Sequence, residues 1–415
     1  MLRASNHASS PANMAFLIPS RAARPGDDPI FALNSEARAR AAAGESVINA
    51  TVGSLLSDDG RLATLESVIA ELSKTPAVVA AGYAPIAGNA EFLRGVIADL
   101  LGGRRSAEWA VAVATPGGTG ALRHAIANFL EPKQSLLTTS FYWGPYKTLA
   151  DESDRGLVTF RMFNERGGLD TEAFSSALGT MLREQGRALV LLNSPCHNPT
   201  GYSFSVDEWR EVARILREHS SLGPITVCLD VAYAKFGGQL DAMLDEMTSL
   251  LPDVLVVIAW SASKTFLQYG LRIGALCALH PDADERRRIE AALTYSCRGT
   301  WSNVNAGGMA AIARILTTPT IREAVDLERS QCVELLGKRV ARFNALAGPK
   351  GLLYPRYDGG FFTTVMTKSA FDVALRLKAR GVFVVPQEGA IRIALCSVAE
   401  ADIPRLVEEV ASALG

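Results

Sequence analysis

The chain has 415 residues, a length that favours two domains over one small core. Hydrophobic residues make up 48% and charged residues 20%, the proportions of an ordinary globular protein. The net charge of −1 excludes a general attraction to nucleic acid or to an acidic membrane surface.

The first 26 residues are rich in Ala, Ser and Arg and hold no acid before Asp27. A transit peptide, a disordered tail and a chain whose true start is Met14 all share that composition. The reading adopted is a tail on a cytoplasmic protein. No apolar run reaches the roughly 20 residues that a membrane helix needs. Residues 30–51 are expected to complete a small domain whose bulk lies at the other end of the chain.

In the middle, short β-rich runs alternate with amphipathic helices, the pattern of a sheet covered on both faces. Residues 110–114 read as a strand, followed by a glycine turn and a helix over 121–130 with Leu122, Ile126 and Leu130 on one face. A second strand covers 188–193. Ser205, with Glu208 three residues on, forms a capping box that opens a helix through residue 216. Residues 225–230, 255–260 and 273–279 are further strands, and their near-continuous apolar character suits burial on both faces. The triplet Arg286-Arg287-Arg288, set among Asp284, Glu285 and Glu290, reads as a solvated helix face.

The texture changes after about residue 331. A helix over 371–380, strands over 382–385 and 390–395 and a closing helix make a smaller α/β unit. The division expected is a tail (1–26), an N-terminal arm shared with the small domain (27–62), a large domain (63–331) and a small C-terminal domain (332–415). The six cysteines form no CxxC pair and several sit in apolar runs, as buried reduced thiols do. The five histidines lack metal-ligand spacing, so no metal is expected.

The residues of chemical interest fall at strand ends, where open α/β sheets bind ligands. Lys264, in Ser261-Ala-Ser263-Lys264, directly follows a buried strand. Two readings stand: a solvated strand-end lysine, or an amine whose lowered pKa lets it form a Schiff base. Lys235 is its rival but lacks the serine-rich approach. Arg272, in Gly270-Leu-Arg272-Ile-Gly274, together with Ser261 and Ser263 suits a phosphate dianion. Gly117-Gly118-Thr119-Gly120 offers free N–H groups at a helix start.

Asp230 ends an apolar strand and requires a partner, because an unpaired buried charge is costly. A protonated pyridine nitrogen is one such partner; a helix cap or a salt bridge is the other reading. Tyr233 and Asn198 are placed to hydrogen-bond a phenolic oxygen on the same ligand. His197, beside Asn198, reads as structural.

Asn198-Pro-Thr-Gly, Asp230-x-x-Tyr233, Ser261-x-Ser-Lys264 and Gly270-x-Arg272-x-Gly274, in that order, resemble fold-type I pyridoxal-phosphate enzymes, and among them class I aminotransferases of the aspartate and aromatic subgroup. Asp28-Pro-Ile and Val52-Gly53 with Asp58-Asp59-Gly60 are similar to that subgroup's opening and substrate-covering loop. The resemblance implies a large, mostly parallel sheet domain with helices on both faces plus a smaller α/β domain. It implies pyridoxal 5′-phosphate on Lys264, with Gly118, Thr119, Trp143, Asn198, Asp230, Tyr233, Ser261, Ser263 and Arg272 as its other contacts. Tyr83, in Tyr-Ala-Pro-Ile-Ala-Gly, resembles the tyrosine that reaches the partner subunit's phosphate. For the stack on the pyridine ring Trp143 is the implied plate and Tyr142 its competitor.

By the same resemblance Gly53, Asn198 and Arg392 meet the substrate, with Arg392 on its α-carboxylate. Arg298 resembles the residue that crosses a dimer interface to a dicarboxylate side chain. The chain departs from the subgroup at Gly117 (usually Ser), at Asn193 and Tyr146 (frequently His), at Trp301 (usually Tyr), and at Val304-Asn305, which stand in place of a Pro-Pro pair. The implied activity is transamination between an amino acid (aspartate, glutamate or aromatic) and a 2-oxo acid, in a homodimer with shared active sites. A lyase or decarboxylase on the same fold is the alternative. A binding module with a defunct site is a third reading, against which the intact Lys264, Asp230 and Arg272 speak. No convincing helix-turn-helix segment suggests a DNA-binding regulator.

Overall fold

The computed structural model describes residues 16–22, 24, 26 and 28–415. The sequence expectations for the N-terminal tail therefore fall largely outside the described residues. In chain order the strands are β1 (Ile48–Asn49), β2 (Ala110–Thr115), β3 (Ser135–Thr139), β4 (Gly156–Phe160), β5 (Ala188–Asn193), β6 (Ile225–Asp230), β7 (Leu255–Ser261), β8 (Gly274–Leu279), β9 (Thr363–Met366), β10 (Val382–Phe383), β11 (Val385–Gln387) and β12 (Ala390–Ile393).

Seven of them form one sheet in the order β2-β8-β7-β6-β5-β3-β4. All neighbours are parallel except β8, which runs antiparallel to both β2 and β7. The fold is the mostly parallel α/β sheet expected. Its central strands β5, β6 and β7 are almost continuously apolar because each face has its own core. In β7, Val256, Ile258 and Trp260 enter one cluster while Val257 and Ala259 enter the other. β5 and β6 alternate in the same way, with Val190 and Leu192 opposite Leu189 and Leu191. Each such aliphatic side chain contributes about 1.5–3 kcal/mol through burial.

Several boundaries differ from the sequence reading. The helix after β2 runs from Gly117 to Phe129, so the glycines form its first turn and not a turn before it. Gly117 enters with φ +71°, a conformation that a side chain would strain. The expected strand over 382–385 divides into β10 and β11, which belong to different sheets. β3 and β4 were not anticipated; β4 is an edge strand whose Val158 is exposed, so the two-sided apolar signal is missing. The capping box at Ser205 and Glu208 is present, on the helix Val206–His219.

Toward the C-terminus, β11-β12-β9 make a small antiparallel sheet packed by the helix Ala370–Ala379. The N-terminal arm joins this part: β1 pairs in parallel with β10, and Ala394 N–H donates to Ala50 O at 2.9 Å. All six cysteines are free and five are buried. Among the described residues no helix is long and apolar enough to cross a membrane.

Candidate active site

The carboxyl ends of β2, β5, β6 and β7 converge on a pocket of about 520 Å³. Asn193 ends β5, Asp230 ends β6 and Ser261 ends β7, while Arg272 precedes the antiparallel β8 and so reaches the same end of the sheet. The pocket is lined by Gly53, Gly118, Thr119, Trp143, Asn198, Asp230, Tyr233, Ser261, Ser263, Lys264, Arg272 and Arg392. The structure therefore brings together all but two of the residues singled out from sequence. Of the two aromatic candidates, Trp143 lines the pocket and Tyr142 does not.

One wall gathers groups for a phosphate. The first turn of the helix Gly117–Phe129 offers free N–H groups, and Ser261 and Ser263 face it. Arg272 is held there by donating to Tyr269 O at 2.9 Å and Pro116 O at 3.3 Å. A Cβ on Gly117 would stand 2.6 Å from Arg272 Nη2, so the glycine makes room for the guanidinium. That is a physical reason for glycine where the subgroup usually has serine.

Lys264 sits in the short helix Ala262–Thr265, which Ser261 caps by accepting from Ser263 N–H. Its Nζ lies 5.0 Å from the ring centre of Tyr269 and 5.8 Å from that of Tyr233. Burial lowers its pKa to about 8, and the charge of Arg272 acts in the same direction. Near neutral pH the free amine needed for chemistry is thus far more accessible than in an exposed lysine. Lys235 is disposed of differently: its Nζ is paired with the buried Asp99 at 2.8 Å, and Arg322 pairs with the same acid at 2.6 Å.

Asp230 is buried across the pocket and accepts from Tyr146 Oη at 2.6 Å. Burial pushes its carboxyl upward, against the pull of the Tyr146 hydrogen bond. Asn198 Nδ2 lies 3.4 Å from Tyr233 Oη, and Asn198 Oδ1 is buried with no hydrogen-bond partner. Nearby, His197 is buried between Thr200 and Thr139, and burial lowers its pKa to about 3. It is structural, as the sequence suggested.

At the opposite wall Arg392, on β12, is only 6% exposed. Its guanidinium lies 4.6 Å from the centre of the Phe362 ring, Nη2 donates to Thr51 O, and Nε has no partner among the described residues. Buried polar atoms are normally satisfied, so the orphans on Asn198 and Arg392 mark where a ligand belongs. The donor set fits pyridoxal phosphate: a phosphate cradle, a reactive amine and a buried acid, with a guanidinium beyond for a carboxylate.

Two predicted residues are not brought to this pocket by their own chain. Tyr83 is 95% exposed. Arg298 donates to Ser302 Oγ at 2.7 Å and lines a separate shallow groove with Ile86, Glu290 and Tyr295. Conversely, sequence reasoning missed Tyr269 and Phe362. Tyr269 follows Lys264 by five residues and accepts from Leu55 N–H at 3.0 Å, so the lysine motif itself was a signal for it. Phe362 had no such signal.

The fold and this pocket define an α/β enzyme built to hold an anionic aldehyde cofactor on a lysine. The chain belongs to the aminotransferase class I and II family, whose model matches residues 45–410. It is 30% identical over 339 residues to an aromatic-amino-acid aminotransferase of Paracoccus denitrificans, covering 79% of this chain and 82% of that one. An aspartate aminotransferase of Pseudomonas aeruginosa is 29% identical over 310 residues, covering 72% and 75%. Among solved structures an aminotransferase from Anaerococcus prevotii superposes with a TM-score of 0.91 at 33% identity, covering 97% and 100%. The protein is a pyridoxal-phosphate-dependent transaminase that acts on an amino acid and a 2-oxo acid. These matches give no support to the lyase alternative.

Proposed function

We propose that this transaminase takes aspartate, glutamate or aromatic donors, with 2-oxoglutarate as acceptor, in sites shared across a homodimer. The observation that carries the reading is Arg392, a buried guanidinium with an unpartnered Nε on the wall opposite the phosphate cradle. A planar two-point grip on an α-carboxylate orients the substrate, and a lysine there would not reproduce it. The apolar wall of Ile30, Phe31, Val52 and Phe362 favours an aromatic side chain. The names of the relatives support the same donors.

In this reading Gly118, Thr119, Ser261, Ser263 and Arg272 hold the phosphate, Trp143 stacks on the ring, and Asn198 and Tyr233 meet its phenolic oxygen. Pyridoxal phosphate, when bound, supplies a conjugated electron sink for negative charge at the substrate Cα. Lys264 Nζ takes the proton from Cα, and its lowered pKa makes it a competent base. Asp230 holds a proton on the ring nitrogen, and Arg392 and Asn198 fix the carboxylate so that the Cα–H bond faces Lys264. Gly53 gives the covering loop room, since a Cβ there would stand 2.4 Å from the Phe362 ring.

Tyr83 and Arg298 act on the site of a second copy, which their distance from their own pocket supports. The arm 27–62 with 332–415 forms the small domain and 63–331 the large one, a division that the β1–β10 pairing supports. Free thiols fit a reducing cytoplasm. The test is a donor panel on wild type and Arg298→Ala. Aspartate and glutamate rates should fall sharply in the variant while aromatic rates hold; full rates with both dicarboxylates would overturn the role of Arg298.

A further inference from the structure

Among the described residues the carboxylate of Asp230 has a single side-chain donor. Tyr146 Oη donates to Oδ2 at 2.6 Å, and the Ala232 N–H donates to Oδ1 at 3.2 Å. Tyr146 is 1% exposed and lies in the first turn of the helix Pro145–Glu152. Its N–H donates to Trp143 O at 2.9 Å, and its ring meets Trp143 edge-on at 5.7 Å. One turn of chain therefore carries both the aromatic plate of the pocket and the donor to its buried acid. Asn193 braces the acid from the next strand: Nδ2 donates to Asp230 O at 2.8 Å, while Oδ1 accepts from Asn198 N–H at 2.7 Å.

We propose that Tyr146 is a positioning residue: its hydroxyl holds the Asp230 carboxylate ionised and in one orientation, so that Asp230 keeps a proton on the cofactor's ring nitrogen. This rests on the assignment of Asp230 made above. A buried carboxylate with one backbone contact drifts toward its protonated form and then no longer stabilises a ring cation. Tyr146 opposes that drift through a charge-assisted hydrogen bond. Burial raises the phenol's own pKa, so Tyr146 stays a neutral donor. The other groups facing Asp230 are Lys264, Tyr233 and Cys228. Of these only Lys264 brings positive charge, and it loses that charge when its amine is free; the Tyr146 hydrogen does not leave.

The experiment compares two ligands on the apo protein: pyridoxal 5′-phosphate and the same aldehyde phosphate with its ring nitrogen replaced by C–H. Binding is read by absorbance and tryptophan quenching for wild type, Tyr146→Phe and Tyr142→Phe. The last is a packing control, since Tyr142 stacks on Tyr146 with centroids 6.4 Å apart. Wild type and Tyr142→Phe should prefer the nitrogen-bearing ligand. In Tyr146→Phe that preference should fall about tenfold, the worth of one hydrogen bond to a charged group, with the other ligand unaffected. Equal weakening of both ligands, or an unchanged preference, overturns the proposal. If wild type itself shows no preference, the assignment of Asp230 falls first and this inference with it. A second measurement needs no Tyr146 variant: infrared difference spectra of apo wild type against Asp230→Asn should show an ionised carboxylate at neutral pH. A protonated carboxyl band there also overturns it.

Discussion

Replacing Arg392 with lysine isolates shape from charge. In the folded chain Arg392 spends Nη2 on Thr51 O, rests its plane 4.6 Å from the Phe362 ring centre and keeps Nε without a partner. A carboxylate can therefore be met along one edge of the guanidinium by two parallel N–H donors. Lysine keeps the charge but offers a point contact, so at least one charge-assisted hydrogen bond is lost. Such a bond is worth about 1.5–3 kcal/mol, and kcat/KM for amino acids should fall roughly 10- to 150-fold. The assay is single-turnover reaction of the cofactor-loaded enzyme with an aromatic amino acid and with the corresponding amine, which lacks the carboxylate. The amine rate should be unchanged, so discrimination between the two collapses by the same factor. Cofactor affinity should stay at the wild-type value, because Arg392 lies away from the phosphate cradle. If Arg392→Lys slows amine and amino acid equally, or slows neither, the carboxylate assignment is wrong.

Four further outcomes are expected. Lys264 has its pKa lowered by burial to about 8 from an ordinary 10.5, so between those values the unfolded apo chain binds more protons than the folded one. Apo stability should therefore gain from this group as pH rises through that window, and Lys264→Met should remove that slope in pH-dependent denaturant melts; an unchanged slope would sink the argument. Asp99 is held near 2 by Lys235 and Arg322, which outweigh burial, so its contribution is complete above the ordinary carboxylate range and is lost as pH falls toward 2. Asp99→Asn should cost about 1–3 kcal/mol at neutral pH, because the partly buried Lys235 loses its carboxylate while Arg322 keeps Asp326, whereas Lys235→Met should retain the visible band of the cofactor. Gly201→Ala places a Cβ 2.2 Å from Phe362 O at φ +73°, and should cost about 2 kcal/mol or more in thermal unfolding while weakening cofactor binding through the Asn198 loop. Mixing inactive Lys264→Ala chains with Arg298→Ala chains should restore about a quarter of wild-type aspartate activity if sites are shared across a two-fold interface, and none if each chain is self-sufficient.

The sheet was legible because its strands obey one rule: a strand buried on both faces must be apolar throughout, as β5, β6 and β7 are. Where burial is one-sided the rule fails, and the edge strand β4 was missed for that reason; β3 is buried on both faces, but Ser135, Thr138 and Thr139 break its apolar run. Most of the pocket residues singled out from sequence sit at or just beyond a strand end or a helix start, where local sequence sets the backbone. The remainder of the site depends on distant packing. Phe362 supports Arg392 from a turn with no motif of its own, and Tyr146 meets Asp230 across 84 positions of sequence. Tyr83 and Arg298 mark the same boundary in another form, since a single chain gives them no ligand to touch.

That dependence on packing also sets the spacing between the two arginines to which the proposed reading gives the cofactor phosphate and the substrate carboxylate. Arg272 is fixed to the large sheet through Pro116 O and Tyr269 O, and Arg392 stands on the small sheet. Their separation is useful only if the sheets hold a constant spacing. Thr364, paired with Arg392 across β9 and β12, donates to Pro199 O at 2.7 Å and so fastens the small sheet to the loop bearing Asn198. Phe362 fills the remaining gap: its ring lies beneath Arg392, meets Tyr233 edge-on at 5.9 Å and abuts Gly53. The Arg392 guanidinium is thus referenced to Asn198 and Tyr233 by packing alone. In the proposed reading, a rigid frame of this kind would present the Cα proton to Lys264 at a fixed distance, which is the entropic part of the catalysis that the protein itself would supply.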